Sequence, residues 1–112
     1  MDSILTSIKK LLGISSEYTQ FDGDIIIHIN STFMTLNQLG VGPDHPVFIS
    51  SEMETWESLL GDSKSLEAVK SYVYLKVKLL FDPPTSSFVL NSIKESINEL
   101  ECRLLIQAEK EE

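Results

Sequence analysis

Cysteine is nearly missing: Cys102 stands alone among 112 residues. A lone thiol excludes an internal disulfide framework and a multi-cysteine zinc site, and it fits a reducing compartment. Residues 11–63 contain no Lys or Arg, yet they hold eight acids: Glu17, Asp22, Asp24, Asp44, Glu52, Glu54, Glu57 and Asp62. No uninterrupted apolar run exceeds four residues, whereas a membrane-crossing helix needs about 20. In residues 1–12, Asp2 precedes Ile4 and the two lysines come late, the reverse of a secretory signal. Seventeen acids against nine bases give a formal charge of −8. That balance disfavours wrapping of nucleic acid and docking on an anionic membrane, both of which need surplus Lys and Arg.

Catalytic patterns are missing too. There is no nucleophile elbow, no glycine-rich phosphate loop and no His-Glu-x-x-His, so no enzyme activity and no cofactor are expected. His28 and His45 lie far apart with no Cys or His at ligand spacing, so no metal site is expected. Asp22-Gly23-Asp24 resembles a fragment of a calcium loop, but the other ligands do not follow. A helix cap explains Asp22 instead. Cys102 lies beside Glu101 and Arg103 with no His near it in sequence, and reads as an ordinary thiol.

Hydrophobic residues make up 42% and charged residues 23% of the chain, the balance of a globular protein. The length suits one core, so residues 1–112 are expected to form a single domain, with an N-terminal helix over 1–13 and a charged tail over 105–112. Periodicity predicts an all-α bundle of about five helices. In the first, Ile4, Leu5, Ile8, Leu11 and Leu12 share a face, and Gly13 stops it. Its stripe must dock either on its own domain or on a neighbouring chain. In the second, Asp22 is the expected N-cap and Phe21 a staple residue. Ile25, Ile29, Phe33 and Leu36 form its stripe, and Gly40 ends it. Residues 41–54 form one irregular loop with Pro43 and Pro46, in which Val47, Phe48 and Ile49 could pair as a short hairpin.

Thr55 caps a short third helix containing Trp56, which suits either a core or an interface. Ser65 opens the fourth, and Asp82-Pro83-Pro84 breaks it, since proline cannot donate an amide. The fifth starts at Ser86 or Ser87 with Val89, Ile93, Ile97, Leu100 and Leu104 in register. The core is expected to draw on Ile29, Phe33, Leu36, Val69, Val73, Leu80, Val89, Ile93, Ile97 and Leu100. Residues 64–81 carry Lys64, Lys70, Lys76 and Lys78 against Glu67 alone. Acidic and basic faces are therefore expected to meet, either within the fold or between copies.

Several runs carry a resemblance. They are Phe21-Asp22-x-Asp24-Ile25-Ile26, then Ile29-Asn30-Ser31, then residues 34–42 from Met34 to Gly42, the Trp56 helix, and residues 69–84 ending in Asp-Pro-Pro. In this order they resemble the head–tail connector (adaptor) proteins of tailed phages and prophages of Gram-positive bacteria. The likeness runs from about residue 1 to 104 and does not reach the loop 44–53. It implies a virion protein of the neck, assembled in the host cytoplasm. Such a protein forms a homo-oligomeric ring, a dodecamer by the resemblance, beneath the portal protein, and joins it to a stopper or head-completion protein. DNA passes through the channel without specific binding. The resemblance further implies portal docking by the C-terminal segment, with Leu104, Leu105, Glu109 and Lys110 as candidates. Asp22, Asp24, Lys70, Lys76 and Lys78 are candidates for contacts between subunits. The competing reading is a small acidic helical regulatory module that binds one soluble protein partner.

Overall fold

The computed structural model describes residues 3–61 and 65–110, and within them the chain forms five α-helices and no strand. They are α1 (Ile4–Leu12), α2 (Asp22–Gln38), α3 (Trp56–Leu60), α4 (Leu66–Phe81) and α5 (Ser87–Lys110). The expected all-α bundle is the fold observed. Asp2 and residues 62–64, with Asp62 and Lys64, lie outside the described residues.

The stop signals act where the chemistry places them. Gly13 and Gly40 both take φ of +82°, a left-handed conformation that side chains with a Cβ resist. The Ile14 amide then donates to Lys9 O and the Val41 amide to Leu36 O, closing the ends of α1 and α2. At α3 the Thr55 hydroxyl accepts the Ser58 amide, and the Ser58 hydroxyl accepts the Thr55 amide, a reciprocal cap. Ser65 stands at the N-cap position of α4. Before α5, Ser86 O accepts the Leu90 amide and Ser86 Oγ the Val89 amide.

The α2 start differs from expectation. Phe21 occupies the N-cap position and Asp22 is the first helical residue. Its carboxylate turns to Lys9 at 2.7 Å rather than to its own helix.

Helices α2 and α4 pack together, α5 lies along α4, and α1 rests on α2 and α4. The molecule measures 40 × 35 × 20 Å, about two helices thick. Tyr72 Oη donates to Glu101 Oε2 at 2.5 Å, and with the short turn at 82–86 this makes α4 and α5 an antiparallel hairpin.

The core contains Ile25, Ile29, Phe33 and Leu36 of α2, Val69, Tyr72, Val73 and Val77 of α4, and Ile97 and Leu104 of α5. Helix α1 docks on its own domain: Ile4, Leu5 and Ile8 are buried, and the Trp56 indole N–H donates to Ser7 Oγ at 3.0 Å. Trp56 is therefore a core residue, set edge-on to Phe33 at 6.3 Å.

Three apolar positions expected inside lie outside. Leu11 faces solvent while Lys9, four residues after Leu5, takes the buried place. Leu80 is exposed because Phe81, one position round the helix, meets Phe21 and His28 of α2 at that end of α4. Val89 sits in the first turn of α5 and is exposed, since α4 ends at Phe81 and offers it little to pack on. Ile93 and Leu100 are half-buried against the core. At its other end α5 stays helical through Lys110, so residues 105–110 continue the helix rather than fray.

Candidate interaction surfaces

Among the described residues no group of three or more His, Cys, Asp or Glu converges as a metal ligand set, and no helix is long and apolar enough to cross a membrane. The candidate residues are contact residues, and the surfaces that carry them depend on three internal polar constructions.

The first is a buried ammonium. Lys9 Nζ donates to Ser16 O at 3.3 Å and Tyr18 O at 2.8 Å, and pairs with Asp22 Oδ1 at 2.7 Å. This folds the 13–21 connection back over α1. A lysine on the apolar face of an otherwise amphipathic helix was the readable sign of it.

The second is an amide clamp. Asn30 Nδ2 donates to Ile49 O at 2.9 Å, and Ile49 N donates to Asn30 Oδ1 at 2.8 Å. One side chain thus imitates a strand partner and satisfies both main-chain groups of Ile49. The expected hairpin at 47–49 does not form, because its central backbone already has this partner. The only β-type pairing among the described residues is a bridge between Ser3 and Thr55.

The third is the Glu54 carboxylate. It accepts from the Ser50 amide at 2.9 Å and hydroxyl at 3.0 Å, and from the Ser51 amide at 3.2 Å. Burial pushes this carboxyl up, but hydrogen bonds from Ser50, Ser51 and its own amide outweigh that and hold it below the usual range. The Glu54 carbonyl meanwhile accepts the Ile4 amide at 3.0 Å. Asn30 lies in one of the runs that carry the resemblance, but neither its spacing nor that of Glu54 signalled these bonds.

The Tyr72 hydroxyl is shifted the other way. Burial first, then its bond to Glu101 and the charge of that carboxylate, raise it well above the ordinary phenol value of 10.0.

The expected contact residues sort as follows. Leu104 is buried in the core, so it has no surface to offer a portal. Leu105, Glu109 and Lys110 are exposed near the end of α5, and Ile106 joins them. Asp22 is engaged with Lys9 of its own chain, which removes it from the free acidic surface, whereas Asp24 is exposed. Lys70 pairs with Glu67 at 3.6 Å and Lys78 with Asp82 at 2.9 Å, both within α4 or at its cap. Lys76 stands over the Tyr72 ring, 5.9 Å from its centroid. Among the described residues, then, no α4 lysine is ion-paired with an acid of residues 11–61.

Apolar side chains also reach the surface. Tyr18, Phe21 and Phe81 form a chain of ring contacts at 5.6 and 5.4 Å where α2 begins and α4 ends. Leu80, Phe88 and Val89 are exposed around the turn into α5, and Phe48 and Met53 are exposed on the 41–54 loop. A shallow cleft of about 330 Å³ lies at the end of α1 between Thr6, Lys10 and residues 13–16.

A family model described as phage connector protein matches residues 4–111. No curated protein and no solved structure matches the chain.

Proposed function

Since the chain belongs to the phage connector protein family, a structural family, we propose that it is the head–tail adaptor of a tailed-phage virion. In this reading copies of the chain form a ring beneath the portal protein. The opposite face of the ring receives a stopper or head-completion protein, and DNA passes through the middle. The observation that carries the reading is the family match over nearly the whole chain. The acidic balance supports it, because a conduit of net negative charge repels phosphate and lets DNA slide. Exposed apolar side chains on several sides also suit a protein that contacts more than one neighbour.

The C-terminal end of α5 is the segment proposed to dock on the portal. Its contact face is Leu105, Ile106, Glu109 and Lys110, presented on a helix already formed. A preformed helix loses less conformational entropy on docking than a tail that folds there.

The test is attachment of purified protein to portal-bearing heads. Wild-type protein is expected to bind in several copies per head. Leu105→Asp and Ile106→Asp are expected to lose attachment with the melting temperature unchanged. Binding of a single soluble partner at one-to-one stoichiometry, with none to heads, would favour the regulatory module instead. Wild-type attachment by both variants would sink the assigned docking face.

A further inference from the structure

Helix α2 differs from the other helices in what it shows to solvent. Besides Asp24 in its first turn, its exposed residues are Gly23, Ile27, Ser31, Met34 and Gln38. They recur every three or four positions, so they lie along one side of the helix, opposite the buried Ile25, Ile29 and Leu36. Ile27 is 64% and Met34 50% exposed. Residues 25–38 contain no Asp, Glu, Lys or Arg. The other helices all expose formal charge: Lys10 on α1, Glu57 on α3, Glu67 on α4 and Glu95 on α5. A helix side that stays in water ordinarily carries such residues. The run Ile27, Ser31, Met34, Gln38 alternates steps of four and three, which is the seam one helix offers to another. Helices α1 and α4 pack on the buried side of α2, and among the described residues no helix lies over this one.

Charge identifies the occupant. The chain carries −8, so two copies repel one another through most pairs of faces. A stripe without charge is where they approach at least cost, because no ion is desolvated and no like charges meet. A partner recognised through its own charge finds nothing on this stripe to pair with. We infer that the stripe packs on the same stripe of a second copy, as an antiparallel two-fold pair of α2 helices. Met34 of each copy rests on Ser31 of the other, whose small side chain lets the helices approach, and Ile27 meets the stem of Gln38. Antiparallel packing keeps the two Asp24 carboxylates about 25 Å apart along the helix axis. Parallel packing sets them face to face, where like charges oppose the contact. The contact is isologous and complete with two copies, so it is a state of the free chain and does not rest on the adaptor-ring reading.

The experiment is sedimentation equilibrium of the purified chain over a range of concentrations. One helix seam is smaller than a standard interface, so the dimer is expected to be weaker than about 1 μM. Ile27→Lys and Met34→Lys each act twice across a two-fold contact and are expected to weaken it at least about tenfold. Ile106→Lys, on α5, is expected to leave it unchanged. Helical circular dichroism equal to wild type in each variant separates a lost contact from a lost fold. The dimer is expected to tighten as salt rises, because salt screens the net repulsion between copies. Loosening with salt would show a contact made by charge and overturn the inference. In a Cys102→Ser background, Ser31→Cys is expected to give a dimer with a short bismaleimide. Gln38→Cys is expected to give none, since the two thiols lie about 16 Å apart along the axis in the antiparallel pair. Cross-linking at both positions would overturn the antiparallel arrangement. A wild-type chain that stays monomeric to about 1 mM overturns the pairing itself. Loss of head attachment by Met34→Lys in such a chain would assign the stripe to another virion protein instead.

Discussion

Lys9 Nζ lies 2.7 Å from Asp22 Oδ1, with the lysine side chain 3% and the aspartate side chain 24% exposed. This pair ties the end of α1 to the start of α2 across a connection that is otherwise irregular.

Removing one partner strands the other. Asp22→Ala is expected to cost about 3 kcal/mol, because the buried ammonium keeps only two carbonyls. Lys9→Met is expected to cost about 2 kcal/mol, since the Asp22 carboxylate still reaches water. A double-mutant cycle by urea unfolding checks the coupling, expected at about 1–3 kcal/mol. Strict additivity of the two losses would refute it. Raising the salt concentration should change the coupling little, as buried pairs are weakly screened.

The Asn30 clamp makes a local prediction. Asn30→Ala leaves the amide and carbonyl of Ile49 without their partner, at a cost of about 1–3 kcal/mol. Hydrogen exchange at the Ile49 amide should accelerate, and proteolysis should begin within residues 41–54. Asn30→Asp keeps the acceptor for the amide but loses the donor to the carbonyl, so it should fall between. Unchanged exchange at Ile49 in Asn30→Ala would show that the loop holds itself.

Core positions should rank by their burial. Ile29→Ala is expected to cost about 2–5 kcal/mol, with Ile93→Ala below it because that side chain is half-buried. Leu80→Ala and Val89→Ala should stay within about 0.5 kcal/mol. Urea midpoints on the four variants give the order, and a large loss at Val89 would contradict the packing described.

Acid and alkali should each act through one named group. Glu54 has a carboxyl lowered below its unfolded value, so the folded state favours the charged form. Its stabilisation is complete above the unfolded value of about 4.5 and is lost as pH falls through the folded one. Glu54→Gln should flatten that part of the profile. Tyr72 has its hydroxyl raised, so the folded state favours the neutral form. Above pH 10.0 the unfolded chain releases this proton and the folded chain keeps it, so stability falls there. Tyr72→Phe should remove that alkaline slope. A slope unchanged in Tyr72→Phe would assign it to other groups.

How much was legible beforehand follows from what each signal depends on. The helices, their stops at Gly13, Gly40 and Asp82-Pro83-Pro84, and the Thr55 cap depend on neighbours within a few residues, so the order of residues suffices to read them. The connector resemblance belongs to the same level, since it rests on runs of residues, and the family match supports it. Periodicity also marks which side of a helix is apolar. It does not say how far a partner extends along that side, which is why Leu80 and Val89 were misplaced and Ile93 and Leu100 are only half-covered. Those outcomes depend on where α2 meets α4 and where α4 ends. The docking of α1, the burial of Lys9 and the Asn30–Ile49 clamp join groups well apart in the chain. Each such contact depends on how the helices pack, because a polar group takes its partner from whatever the packed backbone brings within hydrogen-bond distance. Tertiary structure alone decided those pairings, and with them how the 41–54 loop is anchored to α1 and α2.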